Sequence, residues 1–163
     1  MMSNWKISNR ADKRALKLAD RHYNRQKPGT PQFVPPGRCV VLWQPGSVWV
    51  TSWPFAKYVK HAWAGAWINS LFRRESGELA SELIRQAIGI TRHIWPDVPE
   101  LGIVTFVNAS KVRRKRDPGW CYKRAGFTCV GITKGGLLAF QMLPQNMPKE
   151  IEPKGEKNLW CVK

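Results

Sequence analysis

A chain of 163 residues, 43% of them hydrophobic, is long enough to bury one hydrophobic core and too short for two independent ones. Its 27 Lys and Arg against 11 Asp and Glu give a formal charge of +16, which favours a nucleic-acid partner over a small neutral substrate. No apolar run approaches the roughly 20 residues that cross a bilayer, and the N-terminus has no apolar signal segment, so we expect a cytoplasmic protein with no membrane partner.

The N-terminal part of the chain predicts a helix, a long loop and a β-hairpin. Residues 8–23 carry apolar side chains at helical spacing after Ser8, a residue type that often caps helices. Four prolines and two glycines then exclude regular structure from 24–38, and loops of more than about 12 residues in small domains are often functional. The runs 39–44 and 48–53 predict two strands joined by a Pro-Gly turn.

The middle of the chain predicts a strand followed by the main helix. After a connecting stretch at 54–63 that contains a helical turn, residues 66–73 read as a strand. The segment 78–95 has apolar residues at steps of three and four and ends before Pro96, which is typical of an amphipathic helix.

The last third predicts a buried strand, a short helix and a hairpin. Residues 101–107 are almost continuously apolar, as in a central strand that is covered on both faces. A helix at 120–125 and strands at 128–133 and 137–143 follow. This order predicts an α/β domain with one central sheet over residues 1–143 and an extended or flexible C-terminal tail over 144–163.

Four cysteines occur without a C-x-x-C pair, so the sequence signals neither a zinc ribbon nor a redox motif.

Basic residues concentrate in two places where they could contact DNA phosphates. One is the run after the buried strand, which continues into the short helix, and the other is the proline-rich loop, where an aromatic residue could stack on a base or wedge between bases. The residues that we expect to contact DNA are Arg25, Lys27, Phe33, Arg38, Lys111, Arg113, Arg114, Lys115, Arg116, Lys123 and Arg124.

The junction between the strand 66–73 and the main helix is a candidate anion site. A polar, glycine-bearing turn leads into the helix, whose first N–H groups and positive dipole end attract phosphate. The candidate cofactor-binding residues are Arg73, Arg74, Gly77, Ala80 and Ser81.

The element order, this glycine-bearing turn, and the pattern Tyr-x-x-x-Gly-Phe formed by Tyr122, Gly126 and Phe127 together resemble the GNAT acyltransferase fold over about residues 8–143. The resemblance implies a GNAT-like mixed central sheet with flanking helices and a donor of acyl-CoA type. In GNAT proteins the turn usually reads Arg or Gln, two residues, Gly, one residue, then Gly or Ala. Here RRESGELAS departs from that pattern and adds two glutamates.

A narrower resemblance is to the Mom-like DNA modification proteins of phages, a divergent branch of that fold. It is carried by ADRHYNRQ, NSLFRRE, TFVN and CYKRAGF. It implies transfer of a carbamoylmethyl-type group to the N6 amine of adenine in double-stranded DNA, which protects the DNA from restriction in a phage-infected or prophage-bearing bacterium. By position, the catalytic residues implied are His22, Tyr23, Asn108 and Tyr122.

Some assignments stay open within that resemblance. Family members often have Asp where this chain has Asn108, and Asp117 is the nearby carboxylate that could replace it. Asn69 and Ser70, near the end of a predicted strand, could take a polar role. An iron ion is compatible with the family, with His22 as its candidate ligand, and assembly as a homodimer is compatible with the sequence.

The chemistry itself asks for a base and a hydrogen-bond donor. The lone pair of an exocyclic adenine amine is delocalised, so the enzyme must remove a proton or polarise the acceptor carbon. His22 is a suitable proton acceptor because histidine titrates near neutral pH. Two alternatives remain: a conventional N-acetyltransferase for a protein or small-molecule amine, and a nucleic-acid-binding protein without catalysis.

Overall fold

The computed structural model describes residues 3–22, 25, 27–111 and 117–153, which form one α/β domain around a seven-stranded mixed sheet. The single domain confirms the predicted α/β class with one central sheet. The strands are β1 Lys6–Ser8, β2 Arg38–Gln44, β3 Ser47–Trp53, β4 Trp67–Arg74, β5 Ile103–Val107, β6 Thr128–Ile132 and β7 Leu138–Met142. The helices are α1 Lys13–Asp20, α2 Ala80–Ile94 and α3 Trp120–Ala125. Short 3₁₀ turns lie at Pro31–Phe33, Ala56–Tyr58, Ala109–Lys111 and Pro144–Asn146.

The sheet order is β1-β2-β3-β4-β5-β7-β6, and β4 and β5 pair in parallel whereas the other pairs are antiparallel. The parallel register runs from Trp67 opposite Ile103 to Asn69 opposite Thr105. Both strands continue past these residues, but the pairing between the described parts of β4 and β5 ends there. A crevice therefore opens between their carboxyl ends, the place where open α/β sheets bind ligands.

A β-bulge in β4 lies at the start of this crevice. Val50 of β3 is opposite Leu71, whereas the next residue, Thr51, is opposite Asn69, so Ser70 is the extra residue. A bulge turns side chains out of the regular alternation. Around the bulge, the side chains of β4 therefore do not follow the strict alternation between the two faces of the sheet.

Two hydrophobic clusters cover the two faces of the sheet. Helices α2 and α3 pack over one face, where Leu83, Ile84 and Ile88 are completely buried. On the other face, Leu18 of α1 and Phe33 of the proline-rich loop pack against the strands. Each fully buried side chain of this kind contributes about 1.5–3 kcal/mol to folding.

The N-terminal helix is shorter than predicted. Ser8 does not cap it, because Lys6–Ser8 is strand β1 and pairs with β2. The cap is Asp12, whose carboxylate accepts a hydrogen bond from the Arg14 backbone N–H at 2.9 Å. The Ser8 hydroxyl donates to the same carboxylate at 2.7 Å, so it supports the cap residue. The helix predicted over residues 8–23 was too long at its start because helical spacing alone does not reveal the edge strand β1.

The predicted boundary between domain and tail at residue 143 is too early. Met147 and Ile151 are buried in the core beside α2. The Ile151 N–H donates to the Gly89 carbonyl at 3.0 Å, and a Cβ on Gly89 would lie 2.8 Å from the Ile151 side chain. Residues 144–153 thus belong to the domain, because the missing side chain of Gly89 leaves room for Ile151 against α2. Residues 154–163 lie outside the described residues. In the part of the chain that the structure describes, no helix is both long enough and apolar enough to span a bilayer.

Candidate active site and nucleic-acid interface

A cleft of about 760 Å³ occupies the crevice at the carboxyl ends of β4 and β5. Its walls come from the end of α1, the turn between β4 and α2, strand β5 and helix α3. The lining includes many of the residues singled out in the sequence: His22, Asn69, Ser70, Arg73, Arg74, Ala80, Ser81, Asp117, Tyr122 and Arg124.

A buried hydrogen-bond network joins three strands and a helix at the base of the cleft. The Tyr122 hydroxyl is 2.8 Å from Asn69 Oδ1, and Thr105 Oγ1 is 3.2 Å from the same oxygen. Asn69 Nδ2 donates to the carbonyls of Val50 at 3.1 Å and Leu71 at 2.9 Å. Carbonyls only accept, so the amide orientation is determined and Oδ1 faces the hydroxyls. The Tyr122 hydroxyl is therefore the donor to Asn69.

The Tyr-x-x-x-Gly-Phe pattern explains how Tyr122 reaches this position. Gly126 ends α3 with φ +113°, a left-handed conformation that suits glycine, and its N–H returns to the Tyr122 carbonyl. The Phe127 N–H bonds the same carbonyl at 2.9 Å, and the Phe127 ring centroid lies 5.4 Å from that of Tyr122. The Tyr122 ring also packs against Phe140. With only 9% of its surface exposed, Tyr122 is held rigidly.

The first turn of α2 also lines the cleft. Its N-cap residue, Leu79, makes no side-chain capping bond, so the first N–H groups of the helix lack a cap at the cleft wall. Arg74 donates to the carbonyls of Gly77 at 3.1 Å and Glu78 at 2.6 Å, which fixes the turn before the helix. Uncapped N–H groups at a helix start are a ready anion site. Gly77 itself is not a lining residue.

The two glutamates of this turn are not free charges. Glu75 is bound by Arg21 of the α1 end at 2.5 Å and by Arg73 at 2.7 Å. Hydrogen bonds from Arg21 and then Arg73 lower the pKa of Glu75 to about 2. Glu78 accepts a bond from the Gln86 amide at 3.0 Å. The repulsion that Glu75 would exert on a phosphate at this turn is thus offset by two arginines.

Asn108 is placed away from the cleft lining. Its Oδ1 accepts hydrogen bonds from the Ser110 backbone N–H at 3.1 Å and the Ser110 hydroxyl at 2.6 Å, so it supports the 3₁₀ turn after β5. Asp117 does line the cleft, and it pairs with Lys123 at 2.9 Å. The predicted Tyr23 and Arg113, Arg114, Lys115 and Arg116 lie outside the described residues.

The predicted DNA-contacting residues have different surroundings. Lys111 and Lys27 are exposed, and Arg124 lines the cleft with its guanidinium 5.9 Å from the Trp120 ring centroid. The Arg38 guanidinium carbon lies 4.2 Å from the Trp53 ring centroid. This pair is at the end of the sheet where β4 begins, away from the cleft. Arg25 has only 6% of its side chain exposed and pairs with Asp20 at 2.8 Å.

A second, smaller cavity of about 240 Å³ lies between the proline-rich loop and the bulge in β4. Phe33 and Lys27 contribute to it from the loop, and Ser70 and Leu71 contribute from the strand. Ser70 lines this cavity as well as the large cleft. Leu71 also lines both, so the two spaces border the same part of β4.

The sequence pointed less clearly to three residues of the site. Thr105 is the one polar side chain within the apolar strand β5, a signal that could have identified it. Trp120 has 56% of its surface exposed at the cleft and stands two residues before Tyr122, on the same short helix. Arg21 has no local signal, because its partner Glu75 is 54 residues away.

A ligand set for iron is not apparent in the described part of the chain, where no group of three or more His, Cys, Asp or Glu side chains could hold a metal ion. Burial lowers the pKa of His61, which stacks with Phe106 and Trp63. His93 lies at the end of α2, outside both cavities.

Comparison with known proteins identifies no relative: no family model, no curated protein and no solved structure matches the chain. Its function is therefore argued from the chemistry of the site.

Proposed function

We propose that this protein is a GNAT-like DNA modification enzyme that transfers a small acyl-derived group, of carbamoylmethyl type, to the N6 amine of adenine in double-stranded DNA. The observation that carries the proposal is the cleft at the carboxyl ends of β4 and β5. It combines the buried network of Tyr122, Asn69 and Thr105 with His22 and with basic residues at its rims. Ordinary DNA-binding surfaces have no need of such an enclosed polar network.

The donor end of the site fits a phosphorylated carrier of acyl-CoA type. The uncapped first turn of α2, with Ala80 and Ser81 at the cleft wall, offers backbone N–H groups to a pyrophosphate. Arg73 and Arg74 line the same end, and Glu75 is neutralised by its ion pairs. The carrier would supply the group that is transferred. The described residues include no group of His, Cys, Asp or Glu side chains that could hold a metal ion, so the proposal assigns no step to a metal.

In the same cleft, His22 takes the proton that the adenine amine must lose. His22 lines the cleft from the end of α1. Tyr122, whose hydroxyl donates to Asn69, also lines the cleft and under the proposal holds the amine in place. Proton removal by a positioned base typically accelerates a reaction by about 10²- to 10⁴-fold.

Basic side chains at the cleft and on neighbouring elements favour DNA as the molecule that carries the amine. Arg124 lines the cleft, and Lys17 on α1 and Lys111 after β5 are exposed. Phosphate contacts of this kind position a duplex without reading its sequence. The paired adenine must then leave the stack, at a cost of a few kcal/mol that enzyme contacts repay.

A conventional N-acetyltransferase is the second candidate, and one observation favours it. The uncapped start of α2 and its arginines lie on the donor end and do not depend on any DNA contact. That enzyme would acetylate a protein or small-molecule amine and leave DNA unchanged, so the product separates the two candidates.

The decisive experiment is to express the chain in a bacterium, digest the host DNA to nucleosides and search by mass spectrometry for a heavier deoxyadenosine. We expect a new peak whose mass identifies the transferred group, and we expect it to disappear in His22→Ala. His93→Ala is the matched control, because His93 lies outside both cavities and should retain the peak. Unmodified DNA from the folded wild-type protein would reject DNA modification and favour the acetyltransferase.

A further inference from the structure

We propose that the smaller cavity, between the proline-rich loop and the bulge in β4, receives the extruded adenine, so that donor and acceptor occupy separate chambers that meet at Ser70. This inference rests on the proposed function. The large cleft, at about 760 Å³, lies in the usual range of about 300–1,000 Å³ for whole-ligand pockets. The second cavity, at about 240 Å³, lies below that range and suits a single planar base.

Ser70 is the physical link between the two chambers. It is the extra residue of the bulge and lines both cavities. Next to it, Asn69 turns to the network with Tyr122, whereas Leu71 packs in the cluster beneath α1. A base in the small cavity would thus lie beside the cleft in which the group is transferred.

The Ser70 hydroxyl is buried, and it has no hydrogen-bond partner among the described residues. An unsatisfied buried hydroxyl costs about 1–3 kcal/mol. A rotation of the Ser70 side chain toward the cavity would let a ligand satisfy this hydroxyl. The ring nitrogens of adenine are acceptors, so they suit the hydroxyl as a donor.

The loop that forms the other wall is held in place before any ligand arrives. Arg25 is paired with Asp20, and its guanidinium donates to the Thr30 carbonyl at 2.6 Å. The other Asp20 oxygen accepts from the Gly29 N–H at 3.0 Å. Arg25 thus organises the loop from inside, and preorganisation of this kind reduces the entropy lost on binding.

The lining has the composition that a purine requires. Phe33, Pro35 and Leu71 provide apolar surface for the faces of the base. Gln32 is an exposed member of the lining, and its amide N–H can donate to a ring nitrogen of adenine, which leaves the N6 amine to the cleft. Exposed Lys27 can pair with the phosphate of the extruded nucleotide.

The test uses short DNA that has no base pair to break. Isotope-labelled protein is titrated with the trideoxynucleotides d(CAC) and d(CCC), which differ in one base, and amide signals are followed by nuclear magnetic resonance. We expect d(CAC), and not d(CCC), to shift the Gln32 side-chain amide and the Ser70 backbone amide. Gln32→Ala should weaken d(CAC) binding by about 5-fold, the factor expected for the loss of one hydrogen bond.

Gln145→Ala is the matched control, since Gln145 is exposed on the 3₁₀ turn Pro144–Asn146 and lies outside both cavities. Equal responses to the two trinucleotides, or shifts confined to Ala80 and Ser81, would overturn the inference. Ser70→Ala, which removes only the hydroxyl, provides a second variant with little risk to folding and should also weaken d(CAC). The nucleoside assay remains independent: modified host DNA with an unresponsive small cavity would reject this inference and keep the proposed function.

Discussion

Asn69 decides where the Tyr122 hydroxyl directs its proton. Because both amide hydrogens of Asn69 are bound by strand carbonyls, its oxygen can only accept from Tyr122 and Thr105. The Tyr122 side chain is thereby oriented from two directions, by this bond and by the packing of its ring. Asn69, the neighbour of the bulge residue Ser70, thus fixes the orientation of Tyr122.

Tyr122→Phe tests this residue-scale assignment. The change removes the hydroxyl and keeps the ring, so stability should fall by only about 1 kcal/mol, the usual net value of one hydrogen bond. If Tyr122 holds the amine, the yield of modified deoxyadenosine should fall by about 10²-fold or more. Thermal unfolding and the nucleoside assay measure the two effects. Tyr58→Phe, at a residue with 71% of its surface exposed, should change neither; an unchanged yield in Tyr122→Phe would place Tyr122 among residues that only pack.

At the scale of elements, two junctions determine the shape of the site. The ion pairs of Glu75 connect the end of α1 to the turn before α2, so the two walls that carry His22 and Ala80 are linked. Residues 144–153 pack along α2 and support it from outside, with the Arg92 guanidinium donating to the Pro148 carbonyl at 2.7 Å. The donor end of the cleft therefore depends on segments that are distant in sequence.

Ile151→Ala tests whether 144–153 is part of the folded domain. Ile151 is buried against Gly89, so the truncation leaves a cavity and should lower the free energy of unfolding by about 2–4 kcal/mol. Ile132→Ala is the matched control, because Ile132 is 69% exposed and its truncation should have little effect, within about 0.5 kcal/mol. Denaturant unfolding measures both. Equal stabilities of the two variants would mean that the segment does not contribute to the core.

At the scale of the whole molecule, the formal charge of +16 does not correspond to an equal number of free basic side chains. Some of the charges serve the fold: Arg25 is buried with Asp20, and Arg73 neutralises Glu75. Others, such as Lys17, Lys111 and Lys27, are exposed and face solvent. Net charge therefore overstates the number of side chains that are free to contact phosphate.

Binding of double-stranded DNA should accordingly weaken as salt is added. For every tenfold rise in salt concentration, the logarithm of the association constant should fall by about 0.9 for each phosphate that the protein contacts. Arg124→Gln should lower the slope by about 1 on any DNA sequence, because Arg124 lies at the cleft and contacts phosphate under the proposal. Lys149→Gln, which changes an equally exposed charge beside α2, is the control and should leave the slope unchanged. Fluorescence anisotropy at several salt concentrations provides the measurement, and equal slopes for the two variants would remove Arg124 from the interface.

The local patterns of the sequence determined the elements that build the cleft. Helix α2 was predictable because its apolar residues recur with the period of a helix, which places them on one buried face. Strand β5 was predictable because its apolar residues form a short continuous run, as in a buried strand. The short helix that carries Tyr122 was also predicted with its observed bounds. The start of α1 was wrong, since a helical spacing does not reveal that Lys6–Ser8 pairs with β2.

The contacts that give the site its chemistry were decided by the tertiary structure alone. Tyr122 meets Asn69 across 53 residues, and Arg21 meets Glu75 across 54. The bulge at Ser70 that joins the two cavities depends on the register between β3 and β4. The sequence specified which side chains were present and the local structure that each would adopt. Which of them share one cleft is set by strand order and register, which arise only when the whole chain packs.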